Sequence, residues 1–262
     1  MSPTGLRFER AGDGPVLLLL HGLGSNLRIW DPVRPLLERR RDVIAVDLPG
    51  HGGSASPSAE ACSPSELARR LETFCDGLGI DTAHVAGNSL GGWVALELAK
   101  RGRARSVTAL SPAGLWRQRA PRYNMITFRA YRALGRRLRR VLPFVTSNPV
   151  TRTILLWRFF GRPWALPPGP AMEAAASFLD APGFDAVFAA ASRDCFRGGH
   201  TIDIPVTIVW GTRDVLLLPW QSRCRDEISP RARWMTLPGC GHVPTFDDPD
   251  AVARVILETS GS

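Results

Sequence analysis

Six short apolar runs, each closed by a loop rich in glycine, aspartate or histidine, recur along the chain with helical patterns between them. Pro15–Leu20 ends in His21-Gly22-Leu23-Gly24, and Asp42–Val46 ends in Asp47-Leu48-Pro49-Gly50-His51-Gly52. Ala83–Ala86 runs into Gly87-Asn88-Ser89-Leu90-Gly91-Gly92, and Ser106–Leu110 into Ser111-Pro112. Val206–Trp210 leads to Gly211-Thr212-Arg213-Asp214, and Ala232–Leu237 to Pro238-Gly239-Cys240-Gly241-His242. Runs of this length bounded by turn residues read as buried parallel strands. Between them, Asn26 caps a helix expected to reach about Arg40, with Leu27, Trp30, Val33, Leu36 and Leu37 at helical spacing. Ser63 or Ser65 starts another helix, a third follows Ser89, and a last one runs from about Pro249 to Thr259. Leu6–Arg10 alternates weakly and reads as an edge strand. Such alternation predicts the α/β class, a mostly parallel sheet flanked by helices on both faces.

The alternation stops between about Ala113 and Thr201. That segment carries helical patterns broken by the seven prolines from Pro143 to Pro182 and shows no convincing strand. It reads as a helical cap (residues 113–201) inserted into a core made of residues 1–112 and 202–262. The net charge of +9 is concentrated there: the segment holds fourteen arginines against four acids, while the rest of the chain nets −1. Met125, Phe128, Tyr131, Leu134, Leu138 and Leu142 share a helical stripe, and Arg129, Arg132, Arg136, Arg137, Arg139 and Arg140 cover much of the remainder. The favoured reading is a lid that packs its apolar stripe on the site and keeps its arginines in water. Basic amphipathic helices also associate transiently with anionic membrane surfaces. A third reading has an arginine holding a substrate carboxylate or phosphate. Nucleic acid is not expected as a partner, because the positive charge comes with no binding motif.

The 262 residues suffice for one large core plus a subdomain. The N-terminus shows no basic stretch followed by an apolar one, and no apolar run is long enough to span a bilayer, so a cytoplasmic protein is expected. Five scattered cysteines without a CxxC pair fit free thiols better than disulfides or a zinc site.

Ligands bind at the carboxyl ends of strands in open parallel sheets. His21, Asp47, Ser89, Asp214 and His242 all fall at or just past such ends. Gly87-Asn88-Ser89-Leu90-Gly91 has the G-x-S-x-G form of a strand-to-helix turn that exposes a serine, and a Cβ at either flanking glycine would crowd the neighbouring strand or helix. A serine hydroxyl needs a base, and the base needs a carboxylate to orient it. Ser89, Asp214 and His242 occur in the order this architecture uses. Asp247 and Asp248 are weaker candidates for the acid. An oxyanion needs backbone donors. The amide of Leu90 follows the nucleophile, and that of Leu23 lies in the first strand-end loop. His21, Gly22, Asn88 and Gly91 are expected to support these groups. This chemistry calls for no metal and no cofactor.

The segments HGLG, DLPGHG, GNSLGG, GTRD and GCGH, in that order, resemble the α/β-hydrolase superfamily over essentially the whole core. The resemblance implies Ser89 as nucleophile, Asp214 as acid, His242 as base, and Leu23 with Leu90 as oxyanion donors. It sets aside members with an aspartate nucleophile, because position 89 is serine. Carbon–carbon bond hydrolases are similar around GNSLGG, Asn88 included. They typically carry an aromatic residue after the catalytic histidine, where this chain has Val243, and a proline in the first loop, where it has Leu23-Gly24-Ser25-Asn26. The leading expectation is a serine hydrolase cleaving the carboxylic ester of a fairly apolar small molecule through an acyl-enzyme. Thioester, lactone or C–C cleavage by the same triad is the alternative, and a non-catalytic binding protein on the same fold stands behind both.

Overall fold

A computed structural model describes residues 4–117, 120, 122–218 and 224–261. Seven strands form one sheet: β1 (Phe8–Ala11), β2 (Val16–Leu20), β3 (Asp42–Val46), β4 (Ala83–Asn88), β5 (Ala104–Leu110), β6 (Val206–Gly211) and β7 (Arg233–Leu237). Their order is β1-β3-β2-β4-β5-β6-β7. β1 pairs antiparallel at one edge, and every other neighbouring pair is parallel. The carboxyl ends of β2, β4 and β6 therefore open on the same edge of the sheet.

Period-two alternation divides the side chains of β2 between the two faces. Leu18 and Leu20 join Leu67, Phe74 and Trp93 on one side. Leu17 and Leu19 join Trp30, Val252 and Ile256 on the other. Both faces are covered by helices, as parallel strands apolar on both sides require. The helices α1 (Arg34–Leu37), α2 (Pro64–Gly77), α3 (Leu90–Lys100) and the C-terminal helix Pro249–Thr259 supply this cover. Ser63 caps α2 by accepting from the amide of Glu66. α3 is buried from Leu90 to Ala99, so it occupies the centre rather than the surface.

The expected helix from Asn26 to Arg40 is not continuous. Asn26 does cap, accepting from the Arg28 amide at 2.9 Å, but a 3₁₀ turn over Leu27–Trp30 is followed only by the short α1. Pro32 has no N–H to offer the carbonyl of Arg28. The amide of Asp31 takes that carbonyl instead, at 3.1 Å, and tightens the turn.

Between β5 and β6 the described residues form helices: α4 (Arg122–Arg137), α5 (Leu142–Ser147), α6 (Pro149–Leu156), α7 (Pro168–Asp180) and α8 (Phe184–Arg193), with 3₁₀ turns at Arg139–Val141 and Pro163–Ala165. The expected stripe on α4 needs correction. Phe128 and Tyr131 pack inward with buried Leu142, but Leu134 and Leu138 are exposed, and the side chain of Met125 lies outside the described residues. The inward face is completed by Gly135, where a Cβ would stand 2.6 Å from Leu179, and by Arg132. Arg132 was expected in water. It is buried instead, donates to the carbonyls of Phe178 and Ala181, and lies 4.0 Å above the Phe184 ring. Arg152 is buried in the same manner and donates to the carbonyls of Thr146, Pro163 and Trp164 at 2.8–3.1 Å. Helix-end and turn carbonyls need such donors when water cannot reach them.

Replacing Arg152 by Met keeps the apolar stem but strips three carbonyls of their donor. The variant is expected to lose roughly 2–3 kcal/mol of stability, measured by urea unfolding against the wild type.

Candidate active site

Ser89 stands between the end of β4 and the start of α3 with φ 55° and ψ −114°. A non-glycine residue in this region is strained and is held there only by its surroundings. The surroundings are tight. A Cβ on Gly87 would come 2.2 Å from the carbonyl oxygen of Gly91, and one on Gly91 would come 2.2 Å from that of Leu20. The Ser89 amide donates to Leu110 at 2.9 Å, and its carbonyl accepts from Trp93 and Ala113. The first strand-end loop closes over it, so that a Cβ on Gly22 would lie 3.1 Å from the Cβ of Ser89. Among the described residues the amides of Leu23 and Leu90 donate no hydrogen bond, and both residues line the pocket at Ser89. Leu90 opens α3, whose N-terminal amides have no intrahelical acceptor.

Asp214 and His242 meet across the ends of β6 and β7. Gly211 permits this approach, because a Cβ there would fall 2.2 Å from the carbonyl oxygen of Cys240. His242 Nδ1 lies 2.9 Å from Asp214 Oδ2, with both side chains buried. The other carboxylate oxygen accepts from the amides of Leu216 and Leu217 at 2.9 and 3.0 Å. Burial alone would raise the Asp214 carboxyl. The facing His242 and the Leu217 amide outweigh it and hold the carboxyl below its ordinary value. An ionised Asp214 accepts from Nδ1–H and leaves Nε2 of His242 with its lone pair. Asn88 ties the two halves together, its amide nitrogen donating to the carbonyls of His242 at 2.8 Å and Leu110 at 3.1 Å. Ser89 and His242 line one pocket, and their side chains are not hydrogen-bonded to each other.

The pocket is roofed by the helical insertion. Phe128, Tyr131, Leu155, Phe159 and Phe178 face Ser89 from that side. Among the described residues its lining contains no Asp, Glu, Lys or Arg. The reading in which an arginine holds a substrate anion therefore finds no arginine in place among the described residues.

Asp247 has a function that the sequence reading missed. Its carboxylate accepts from the amides of Gly161, Arg162 and Gly241, each at 2.8 Å. It thus bolts the insertion to the loop that carries His242. The Val243 amide donates to Phe159, and Arg213 donates to Gly161, at the same junction. On the other side Asn26 Nδ2 donates to Glu173 Oε1 and Ser177 Oγ of α7. An acid placed five residues after the histidine in a glycine-rich loop was the only trace of the Asp247 clamp in the sequence.

The sequence model of the alpha/beta hydrolase family matches residues 17–255. The chain belongs to that family. An epoxide hydrolase of Mycobacterium tuberculosis is 31% identical over 214 residues, 74% of this chain and 93% of its own. A pimeloyl-[acyl-carrier protein] methyl ester esterase of Nitrosomonas europaea is 27% identical over 257 residues, covering 94% and 95%. Among solved structures, a bacterial membrane phospholipase A superposes with a TM-score of 0.73 at 25% identity, covering 98% of this chain and 84% of its own. The enol-lactonase of Burkholderia xenovorans shares the fold with a TM-score of 0.77 at 20% identity, covering 98% and 96%.

In this hydrolase His21 sits beneath the first loop, fully buried. Its Nδ1–H donates to the Gly22 carbonyl at 2.7 Å, and Nε2 accepts from the Leu48 amide at 2.9 Å. The second bond needs the neutral ring, because only an unprotonated Nε2 can accept. Burial depresses its pKa to about 4, with the Gly22 bond opposing the shift. Burial and the neighbouring His21 ring, 5.4 Å away, depress His51 to about 3.

The unfolded chain takes up a proton at position 21 near pH 6.5, and the folded chain refuses it until about 4. Stability is therefore complete above pH 6.5 and falls as the pH drops through that window, by roughly 3 kcal/mol for His21 alone. In urea unfolding, His21→Asn is expected to be less stable at pH 7 and to show a shallower loss of stability between pH 6.5 and 4.5.

Proposed function

We propose that this hydrolase cleaves carboxylic esters of neutral, apolar acyl groups with Ser89 as nucleophile. The observation that carries the reading is His242, paired with a buried Asp214, sharing a pocket with a strained Ser89, under a lining without Asp, Glu, Lys or Arg among the described residues. The Ser89 hydroxyl attacks the ester carbonyl as His242 Nε2 takes its proton, and Asp214 stabilises the imidazolium that forms. The Leu23 and Leu90 amides, which have no other acceptor among the described residues, receive the oxyanion. His242 then gives its proton to the leaving alkoxide. Water, deprotonated by the same histidine, releases the acid from the acyl-serine.

Asn88 supports this by holding the His242 backbone against β4, and Gly22 and Gly91 by allowing the three loops to converge. His21 fixes the turn that presents the Leu23 amide. Residues 113–201 act as a cap whose inner face supplies the acyl pocket. The methyl ester esterase relative fits this reading. The epoxide hydrolase relative does not extend its chemistry here without a further step, since position 89 offers a hydroxyl rather than a carboxylate.

Ser89→Ala is expected to lower turnover of a p-nitrophenyl ester by at least about 10³-fold and to abolish labelling by a fluorophosphonate. Undiminished turnover in that variant overturns the assignment. The apolar lining of the described pocket predicts a second result. An ester with a butyryl or hexanoyl group should be cleaved with a kcat/KM roughly 100-fold above that of an ester whose acyl chain ends in a carboxylate, since an unpaired charge is costly to bury.

A further inference from the structure

Every exposed large hydrophobic side chain among the described residues falls between Ile126 and Trp164. There are nine, and six of them fall into two triplets at helical spacing. Val150, Ile154 and Trp157 stand at i, i+4 and i+7 along and just beyond α6, exposed by 68%, 67% and 49%. The opposite side of α6, with Arg152 and Leu156, is buried, so this stripe points away from the pocket. Leu134, Leu138 and Val141 repeat the spacing at the end of α4 and the turn after it, and Phe144 of α5 is 77% exposed. α5 packs against α6 and against the turn after α4, so the exposed residues lie on adjoining segments. A folded chain rarely leaves this much apolar surface in one place without a use for it.

The same stretch is the most basic part of the molecule. Residues 122–164 contain ten arginines and no carboxylate. Arg132 and Arg152 are consumed inside, and Arg136 and Arg139 face Asp185 and Asp180. Arg129, Arg137 and Arg140 are exposed and have no acidic partner among the described residues.

We propose that the outer face of the helical insertion docks on an anionic lipid bilayer, with Phe144, Ile154 and Trp157 entering the acyl boundary and Arg129, Arg137 and Arg140 meeting lipid phosphates. The two features require one partner that offers hydrocarbon and negative charge side by side, which is what a bilayer surface supplies. A second copy of the chain fits less well, because a two-fold contact would set Arg137 and Arg140 near their own counterparts. Leu155 and Leu156, on the inner side of α6, line the pocket. Docking thus leaves one helix between the bilayer and the pocket. The proposal does not depend on the reading of Ser89.

Co-sedimentation of the full chain with vesicles tests it. The wild type is expected to pellet with equimolar phosphatidylglycerol and phosphatidylcholine at low salt, with phosphatidylcholine alone binding roughly tenfold less. Ser89→Ala should pellet as the wild type does, so that failure of catalysis and failure of docking are read separately. Phe144→Ser with Ile154→Ser, and Arg137→Glu with Arg140→Glu, should each weaken binding about tenfold or more. Both pairs are exposed and outside the pocket, so unchanged melting temperatures would show that the folds are intact. Wild type that stays in the supernatant, variants that bind like wild type, or equal binding to neutral vesicles overturn the proposal. Wild type that is a dimer in solution, split by these substitutions and indifferent to vesicles, would give the face to a second copy instead.

Discussion

Everything at the site depends on how closely three pieces of backbone approach Ser89. The end of β4, the first turn of α3 and the loop after β2 converge where Gly87 and Gly91 leave no room for a Cβ. That closeness holds Ser89 in its strained conformation and sets the Gly22-Leu23 loop beside it. A serine in a relaxed turn would lie along the strand or the helix; here it is pushed out into the pocket. The cost of the strain is met by the buried core on both sides, where α3 is enclosed from Leu90 to Ala99.

Around this elbow Asp214, His21 and Asn88 are buried and hydrogen-bonded. Asp214 has both oxygens occupied, His21 both ring nitrogens, and Asn88 donates to the carbonyls of Leu110 at the end of β5 and of His242 in the loop after β7. Each bond fixes a loop as well as a charge state. Low dielectric makes such bonds strong when complete and costly when broken. Asn88 and the Asp214–His242 pair join the ends of β4 and β5 and the loops after β6 and β7 into one unit, and His21 joins the loop after β2 to the one after β3. Asp247 extends the unit into the insertion by accepting amides from both sides of the junction. The roof of the pocket and the histidine loop are thereby fastened at one point.

The insertion divides its arginines by position. Two are turned inward and saturate the backbone carbonyls that helix ends and turns leave open. Others stay outside among exposed apolar side chains. The planar, multiply donating guanidinium suits both tasks, which lysine would not perform equally well. Only one lysine occurs in the chain, at position 100.

The α/β order, the strands and the placement of Ser89, Asp214 and His242 at strand ends were legible in the sequence, because those features rest on local periodicity and on glycine spacing along the chain. The interruption near Pro32 was missed because helical spacing of apolar residues outweighed a missing amide donor. The helical insertion was legible only as a region. Which face of α4 turns inward was decided by Gly135 and the space beside Leu179, and a stripe drawn from hydrophobicity alone put Leu134 and Leu138 on the wrong side. The sequence by itself determined the sheet, the elbow and the order of the site residues. Tertiary structure alone decided that Arg132 and Arg152 are interior groups, that Asp247 is a clamp and that the described pocket lining carries no Asp, Glu, Lys or Arg. Those outcomes depend on which carbonyls and amides from distant segments come within about 3 Å of one another, and no pattern along the chain records such meetings.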